Sequence, residues 1–446
     1  MFVKKTKKTM IGLEVELFTL DSDGNLIHES DRIFELLKGR NVSHHLREEI
    51  SFSMVELGAK PGEHVRSTAR AFLENLKTIV EVAEKNEIYL LPLGCYPAKS
   101  IPKFRKKPWY DQQVTLFGKK KMRYAEKVCG FHFHYSLPKG IVSKNLGSIK
   151  SLKRSVAKDV FINQYNFLVA SEPACITFCQ SSPFVDGRHF AKDCRTMLYR
   201  DLSIPGEVYG LYSSAPAIGG LPNYEFTLED LRYLAGKRKG IYLTMLQEKG
   251  IKIGEVAAYP ELKFMWGPIR INKIGTFECR GLDMNHPQYL FGVASLLKLA
   301  LEEIKEQNLQ TLPSDIGINE PFKTEGNIVY LPPFSTVKSL ELLSSRYGFD
   351  NSSVYSFCRA LFNFVSNVSG KGNSNFLSII RKMLDEKKTV SDDILGLVRK
   401  NGYDPKNVPD EFLKYIAAYH AKKLSDEIEP TIKLYSSLFD TLVQEV

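Results

Sequence analysis

The sequence lacks a long uninterrupted apolar run, and this absence argues against a membrane protein. Its longest apolar stretches, 167–179 and 291–301, are interrupted by Glu172 and Lys298. A membrane-spanning helix needs about 20 mostly apolar residues in a row. We therefore expect no membrane partner.

Closely paired cysteines are also missing. The seven cysteines are odd in number and include no C-x-x-C pair, so they are unlike a disulfide framework or a zinc site and fit free thiols in a reducing compartment. The basic start is followed by IGLEVEL, where Glu14 and Glu16 occupy the place of the apolar core of a signal peptide. We expect a cytoplasmic protein that is not exported.

The common glycine-rich nucleotide motifs are absent. The sequence contains neither G-x-x-x-x-G-K-[ST] nor G-x-G-x-x-G, so a P-loop or a Rossmann cofactor site has no support. What is present is typical of a large globular protein: 446 residues, 43% hydrophobic and 25% charged. The formal net charge of +10 is compatible with acidic ligands such as nucleotides, but it does not by itself indicate nucleic-acid binding.

Hydrophobic periodicity divides the chain into two parts. Residues 1–290 alternate strand-like segments, such as 11–17, 130–137 and 275–282, with amphipathic helices, such as 65–85. This alternation predicts a sheet with helices packed on it, which is an α+β or α/β domain. A further helix is predicted over 160–170, ending before Pro173.

The second part, 291–446, is predicted to be a mostly helical C-terminal region packed on the first. Its helical periodicity begins at residue 288 and returns at 354–368, 375–386, 392–400 and 409–443. Residues 313–333 are rich in turn formers and predict a turn-rich connector.

Ionisable side chains lie on one face of each of four predicted strands. Residues at i and i+2 of a strand share a face, so each of these strands has an apolar face and a face with charged or imidazole groups. The residues on the second face are Glu14 and Glu16, Glu56, His132 and His134, and Glu278 and Arg280. Gathered carboxylates repel one another unless a cation neutralises them, and Mg²⁺ takes oxygen ligands together with phosphate oxygens. The pattern favours a metal-filled, nucleotide-binding sheet.

Any one of these motifs alone is more typical of a solvated strand face. The H-x-H pair is also compatible with a zinc site, although no third or fourth ligand at a familiar spacing lies nearby. The four motifs in order are more specific than any one of them. They are Gly12-Leu13-Glu14-Val15-Glu16, Met54-Val55-Glu56-Leu57, Gly130-Phe131-His132-Phe133-His134 and Gly275-Thr276-Phe277-Glu278-Cys279-Arg280.

This ordered set resembles the carboxylate–amine ligases related to glutamate–cysteine ligase, the second glutamate–cysteine ligase family, and more distantly glutamine synthetase. The resemblance covers about residues 10–290 and includes Ser181-Ser182-Pro183-Phe184, which is similar to the family's N-S-P-F. It implies an α+β fold with a glutamine-synthetase-like, curved antiparallel sheet in a catalytic domain over 1–290. It also implies an ATP-dependent carbon–nitrogen ligase that forms an amide through an acyl phosphate, with ATP and Mg²⁺ or Mn²⁺ as cofactors.

The resemblance also implies roles for individual residues. The implied metal ligands are Glu14, Glu16, Glu56, His132 and Glu278. His134, Arg280 and Arg123 would contact the nucleotide phosphates, and Arg195 and Ser182 the substrate. Arg280, Arg270 and Glu278 would serve catalysis. We expect small-molecule substrates, an amino-acid carboxylate and an amine, and a homo-oligomer.

A basic segment leaves other functions open. Residues 99–127 carry ten Lys and Arg against Asp111 and Glu126, interleaved with aromatic residues. Such a segment is usually a solvated surface, but it can also attract ATP or bind nucleic acid. Two alternatives to the ligase therefore remain: a non-catalytic nucleotide- or nucleic-acid-binding protein, which is possible but not favoured, and a guanidino-kinase-like phosphotransferase. The loop 201–222, rich in Gly and Pro, is a candidate lid.

Overall fold

The computed structural model describes residues 9–138, 140–150, 156–200, 210–368 and 376–443. Its strands are β1 (Ile11–Leu20), β2 (Leu46–Glu48), β3 (Met54–Gly58), β4 (Tyr89–Leu91), β5 (Gly130–Ser136), β6 (Val142–Ser143), β7 (Ser148–Ile149), β8 (Ile269–Asn272), β9 (Thr276–Asp283), β10 (Gln310–Pro313), β11 (Thr324–Glu325) and β12 (Ile328–Leu331).

The helices of the first 290 residues differ widely in length. They are α1 (Ser30–Leu36), α2 (Val65–Glu84), α3 (Pro108–Phe117), α4 (Lys119–Met122), α5 (Val156–Cys179), α6 (Cys194–Tyr199), α7 (Pro216–Gly219), α8 (Leu228–Glu248), α9 (Gly254–Ala257) and α10 (Pro287–Glu306), which crosses residue 290. The later helices are α11 (Ile316–Asn319), α12 (Phe334–Tyr347), α13 (Ser352–Val368), α14 (Ser378–Glu386), α15 (Val390–Lys400) and α16 (Asp410–Val443). Short 3₁₀ helices cover Asn41–His45, Arg123–Glu126, Glu261–Phe264 and Gly348–Asp350.

An antiparallel sheet of seven strands organises the first part of the chain. Its order is β2-β3-β1-β5-β9-β8, and β4 pairs with β1 on the side of β5, beyond the end of the β1–β5 pairing. The strands predicted over 11–17, 130–137 and 275–282 are confirmed as β1, β5 and β9 with shifted ends, and the helix predicted over 65–85 is confirmed as α2.

One face of this sheet is covered by helices. The apolar face of β1, which includes Leu13, Val15 and Leu17, is fully buried, and α2, α5 and α10 pack on this side of the sheet. Phe72 of α2 meets Phe291 of α10 edge to face with ring centroids 5.9 Å apart. Because this face is filled, the ionisable groups on the alternate positions are directed to the other face.

The prediction that a helix ends before Pro173 is wrong. Helix α5 continues through Pro173 to Cys179. An interior proline costs a helix about 3 kcal/mol because it lacks an N–H group. Residues beyond the proline, including Ile176 and Phe178, are fully buried, and the burial of such side chains offsets that cost.

The turn-rich connector predicted over 313–333 contains short regular elements. A small sheet forms there in the order β10-β12-β11, with β10 and β12 parallel. Its strands have two to four residues, too few to show a period in the sequence. Thr311 anchors β10 by donating its backbone N–H to the side-chain oxygen of Asn163, 2.9 Å away.

The remaining C-terminal elements are helical, as predicted. Within the described ranges, the sheet packed with helices confirms the α+β class. No described helix combines the length and the apolarity that crossing a bilayer requires.

Candidate active site

The register of the sheet aligns the predicted site residues of the strands in one row. Glu16 on β1 lies opposite Glu56 on β3, and Glu14 lies opposite His132 on β5. The row continues on the far side of β5, where His134 lies opposite Glu278 on β9 and Glu278 lies opposite Arg270 on β8. Five neighbouring strands therefore present these side chains on a single face.

A first group of potential metal ligands consists of Glu14, Glu56 and His132, with ligand atoms within 4.8 Å of one another. His132 Nδ1 lies 3.8 Å from Glu14 Oε2, and His132 Nε2 lies 3.6 Å from Glu16 Oε1. The buried Nε2 atom of His132 has no hydrogen bond to the described residues. An imidazole nitrogen left without a hydrogen bond beside carboxylates is suited to a cation.

A second group contains a residue that the sequence analysis missed. Glu16, Glu49 and Glu56 also bring ligand oxygens within 4.8 Å of one another. Glu49 follows β2, whose Arg47 pairs with Glu56 in the antiparallel ladder. The signal in the sequence is weak, because β2 has only three residues and no alternation.

Electrostatics show that negative charge is crowded here. Burial and the neighbouring Glu16 and Glu56 raise the pKa of Glu49 well above its usual range, and burial together with Glu14 raises the pKa of Glu56. Burial also acts to raise the pKa of Glu14, but contacts with His132 and His134 outweigh it and hold that pKa below its usual range. A divalent cation would relieve this repulsion, so the donor set fits a hard metal ion.

Glu278, which was predicted to be a metal ligand, belongs to neither metal-ligand group and is paired instead with Arg270 and Arg280. Arg270 donates to both of its oxygens, with Nε 2.7 Å from Oε2 and Nη2 2.8 Å from Oε1. Arg280 Nη1 lies 3.4 Å from Oε1, and Asn272 also donates to the carboxylate. Burial acts to raise the pKa of Glu278, but Arg270 and Arg280 outweigh it and hold the pKa well below its usual range. The carboxylate therefore fixes both guanidinium groups at the end of the row.

The row opens into a cavity of about 360 Å³. The cavity also has an aromatic wall formed by Trp109, Tyr110, Tyr212 and Trp266. Trp109 and Trp266 meet at 89° with ring centroids 5.5 Å apart, and the ammonium of Lys263 lies 4.2 Å from the centre of the Trp109 ring. Of the candidate lid, residues 201–209 lie outside the described ranges, whereas Leu211, Tyr212 and Gly219 line the cavity.

The two predicted substrate residues have different positions. Arg195, on α6, lines the cavity, and its Nη2 donates to the backbone oxygen of Arg280 over 3.1 Å. Ser182 does not line the cavity. It is 1% exposed, and its hydroxyl donates to Asp283 Oδ2 over 2.6 Å. It also lies 3.4 Å from the backbone nitrogen of Arg195, so its observed contacts support α6.

Arg123 does not line the catalytic cavity either. It begins the 3₁₀ helix Arg123–Glu126 and lines a separate pocket with Lys120, Lys127 and Arg188. Elsewhere in the basic segment, Lys107 pairs with Glu48 at 2.8 Å, and Arg105 pairs with Asp31. Part of the positive charge of 99–127 is therefore neutralised locally.

Comparisons with known proteins identify a related family. The model of the glutamate-cysteine ligase family 2 matches residues 10–210, which include β1, β3 and β5. This match confirms the resemblance inferred from the motifs. No curated protein matches the sequence significantly.

Solved structures show the same fold. The glutamate–cysteine ligase of Francisella tularensis, solved in complex with AMP, has a TM-score of 0.57 at 14% identity, and the match covers 99% of this chain and 94% of that one. A bifunctional glutathione synthetase from Pasteurella multocida has a TM-score of 0.54 at 15% identity over 94% of this chain. The match covers 52% of the synthetase, so this chain spans about half of that protein. The predicted glutamine-synthetase-like α+β fold is confirmed.

The family match supports the predicted enzyme class, an ATP-dependent carbon–nitrogen ligase. A ligase of that class would need sites for a nucleotide and for a divalent metal ion. The cavity contains side chains suited to both, because carboxylates and an imidazole lie at one end of the row and guanidinium groups at the other.

Proposed function

We propose that this protein is an ATP- and Mg²⁺-dependent carboxylate–amine ligase, similar to glutamate–cysteine ligase, that forms an amide through an acyl phosphate. The observation that carries the proposal is the single row across five strands, with two metal-ligand groups and two arginines facing one cavity. The family model that matches residues 10–210 supports it independently.

Divalent cations would be held by Glu14, Glu56 and His132, and by Glu16, Glu49 and Glu56. Bound there, they would neutralise the carboxylates and the charge of nucleotide phosphates. Mg²⁺ is proposed over softer metals because five of the six ligand positions in the two groups are carboxylates.

Arg280 and Arg270 are the proposed phosphate-stabilising groups. Both guanidinium groups line the cavity, and both are held by Glu278. As the substrate carboxylate attacks the γ-phosphorus of ATP and ADP departs, negative charge on the phosphoryl oxygens would be stabilised by donors already in position. His134 is not among the residues that line the cavity. Its Nε2 lies 3.2 Å from Glu14 Oε2 and its Nδ1 lies 3.0 Å from Thr276 Oγ1, so it would hold Glu14 in position rather than contact the phosphates.

The second half-reaction needs a neutral amine and a site without bulk water. The amine nitrogen would attack the acyl carbon, the bond from that carbon to the phosphate oxygen would break, and a cavity carboxylate would take the proton of the amine. The aromatic wall and Tyr199 line this cavity and would limit the access of water to an acyl phosphate, which would slow its hydrolysis. Arg195 is the proposed ligand for a substrate carboxylate.

The test measures ADP and phosphate while the acid and the amine are supplied separately and together. Glutamate is the first acid, cysteine and a panel of amines are the second substrates, and Mg²⁺ and Mn²⁺ are compared. We expect ADP, phosphate and an amide only with both substrates and a divalent ion, and no turnover with excess chelator. A phosphorylated product without an amide would instead identify a phosphotransferase.

Metal binding is measured separately from turnover. We expect Mg²⁺ to raise the melting temperature of the wild type because it binds only the folded protein. Glu14→Gln should lose this rise, whereas Glu248→Gln, an exposed residue at the end of α8, should keep it. No rise in the wild type, together with no ADP release for any pair of substrates, would refute the proposal.

A further inference from the structure

A charged side chain of α8 lies in the interior of the protein. Arg238 is 2% exposed, and its Nε and Nη1 atoms have no hydrogen bond to any described residue. Within the described part of the chain, it also forms no ion pair with a carboxylate. Burial lowers the pKa of Arg238, but a guanidinium keeps its proton in proteins. Because a buried charge is costly unless it is paired, this position favours a bound negative charge.

A second donor without a partner lies near this guanidinium. Tyr165 of α5 is fully buried, and its hydroxyl makes no hydrogen bond to the described residues. Burial raises the pKa of Tyr165, and the nearby Arg238 acts in the opposite direction without cancelling that effect. The phenol therefore keeps its proton and can donate it to an acceptor. Two different helices thus supply an N–H donor and an O–H donor to one buried region.

Glu225 does not neutralise Arg238. It affects the pKa of the arginine, but the two residues form no ion pair. Burial raises the pKa of Glu225 itself to about 7, so near neutral pH its carboxyl group carries only part of a negative charge. Its backbone is held elsewhere, since the Glu225 N–H donates to Asn166 Oδ1 over 2.9 Å.

We propose that Arg238 and Tyr165 form an internal binding site for a small monovalent inorganic anion, of which chloride is the probe. The guanidinium has donors and no acceptor, so an anion satisfies it and also compensates its charge. A guanidinium is weakly hydrated and pairs readily with a partner in the interior. Both donors are inaccessible to solvent, which favours a single small ion over an organic or multiply charged anion.

The site lies directly behind the wall of the catalytic cavity. A Cβ atom added to Gly267 would lie 3.3 Å from Arg238 Nη1 and 3.4 Å from Nη2, so the guanidinium is close to the backbone of this glycine. The neighbours of Gly267 in the chain, Trp266 and Pro268, both line the cavity. An anion at Arg238 would therefore stabilise this part of the wall from behind.

Helix α8 connects the site to the aromatic wall a second time. Tyr242 follows Arg238 by four residues, and its ring centroid lies 5.1 Å from that of Trp266 and 5.7 Å from that of Trp109. The chain has two tryptophans, and both belong to the aromatic wall. Tryptophan fluorescence is therefore a direct signal of a change next to the proposed site.

The experiment replaces potassium gluconate by potassium chloride, with the full chain and excess chelator. The ionic strength is kept at about 0.15 M, so that general screening is the same in both salts. Tryptophan fluorescence and the melting temperature are followed for the wild type, Arg238→Met and Tyr165→Phe. Arg232→Met is the matched control, because Arg232 is an exposed arginine on the same helix. Crystals soaked in bromide then locate the ion by its anomalous scattering.

We expect a saturable change in the fluorescence of the wild type and a rise of about 2 °C or more in its melting temperature, because the anion binds only the folded chain. Arg238→Met should lose at least about tenfold in chloride affinity and Tyr165→Phe about threefold or more, whereas Arg232→Met should stay within about twofold of the wild type. Bromide should lie within hydrogen-bonding distance of Arg238.

Three results would overturn the proposal. The first is a wild type that behaves identically in chloride and gluconate, and the second is an equal loss in Arg232→Met and Arg238→Met. The third is bromide bound only at other positions. If Arg238→Met does not fold, Tyr165→Phe and the position of bromide in the wild type still decide the question. No measurement requires turnover, so this proposal and the ligase proposal can fail separately.

Discussion

Replacing Gly130 by alanine should displace Arg195 without unfolding the sheet. Gly130 is the first residue of β5, and a Cβ atom added there would lie 2.3 Å from Arg195 Nη2 and 3.0 Å from Arg195 Cζ. Gly130 is not among the glycines with positive φ, so alanine fits the backbone. The strain therefore falls on the guanidinium, which is the far end of a flexible side chain.

The size of the effect follows from the displacement. To reach an ordinary contact distance, the guanidinium has to move by about 1 Å, and a misplacement of that size at a substrate-positioning group can cost about 10²-fold in rate. The hydrogen bond from Arg195 Nη2 to the Arg280 backbone oxygen, 3.1 Å long, would also be weakened. We expect kcat/KM to fall about 10- to 100-fold, while the free energy of unfolding changes by only about 1–2 kcal/mol.

The assay is steady-state ADP release with the acid and the amine identified by the substrate screen, combined with urea unfolding. Gly12→Ala is the matched control. Gly12 lies on β1 in the same sheet, and an added Cβ atom would meet its nearest neighbour, His134 Cβ, at an ordinary 3.5 Å. We expect the control to keep most of its kcat/KM.

A double-mutant cycle decides whether the effect passes through Arg195. If it does, Gly130→Ala should have little further effect in an Arg195→Ala background, because the displaced group is already gone. Equal losses in both backgrounds would refute this reasoning and would indicate damage to the hydrogen bond from the Gly130 N–H to Glu16 Oε2, which is 2.5 Å long.

Three further predictions concern the rest of the row, the core and the C-terminal helix. Glu278→Gln should lower kcat by about 10²-fold or more, measured as ADP release, because the guanidinium groups that it fixes lose their charged partner; near wild-type turnover would contradict this role. Glu172→Gln should lower the free energy of unfolding in urea by about 3 kcal/mol, because Glu172 Oε1 lies 2.6 Å from Arg200 Nη2 in a buried ion pair. A decrease of less than about 1 kcal/mol would argue against a stabilising role for this ion pair. His286 Nε2 and His420 Nδ1 lie 2.9 Å apart, and burial lowers the pKa of both residues. Around and below the ordinary histidine pKa of 6.5, the unfolded chain therefore binds more protons than the folded chain. The free energy of unfolding should consequently fall as the pH drops through 6.5. His420→Gln should flatten this dependence when urea midpoints are compared between about pH 5 and 7.5, and an unchanged slope would exclude the pair as its source.

The sequence predicted which groups share a face because that property is local. In a strand, steric constraints send successive side chains to opposite sides, so Glu14 and Glu16 had to face away from Leu13 and Val15. The apolar alternate positions then indicated which side is buried. The roles assigned to these residues remain predictions, but their convergence was accessible from strand period and motif order.

Glu49 and the aromatic wall were not accessible in this way. Glu49 follows a strand of three residues, and Trp109 and Trp266 are 157 positions apart in the chain, yet their rings are 5.5 Å apart in the cavity. Arg123 shows the reverse case, because it lies near the H-x-H motif in the sequence but lines a different pocket.

The sequence by itself determined the longer strands β1, β5 and β9, their two faces and the ionisable groups that each presents, since backbone geometry over a few residues decides these features. Only the tertiary structure decided which strands are neighbours, which residues of other elements line the cavity, and that Glu278 is held by Arg270. These choices depend on packing between segments far apart in the chain, where the free energy of burying helices such as α2 and α10 against the sheet selects one arrangement among many that the local pattern allows.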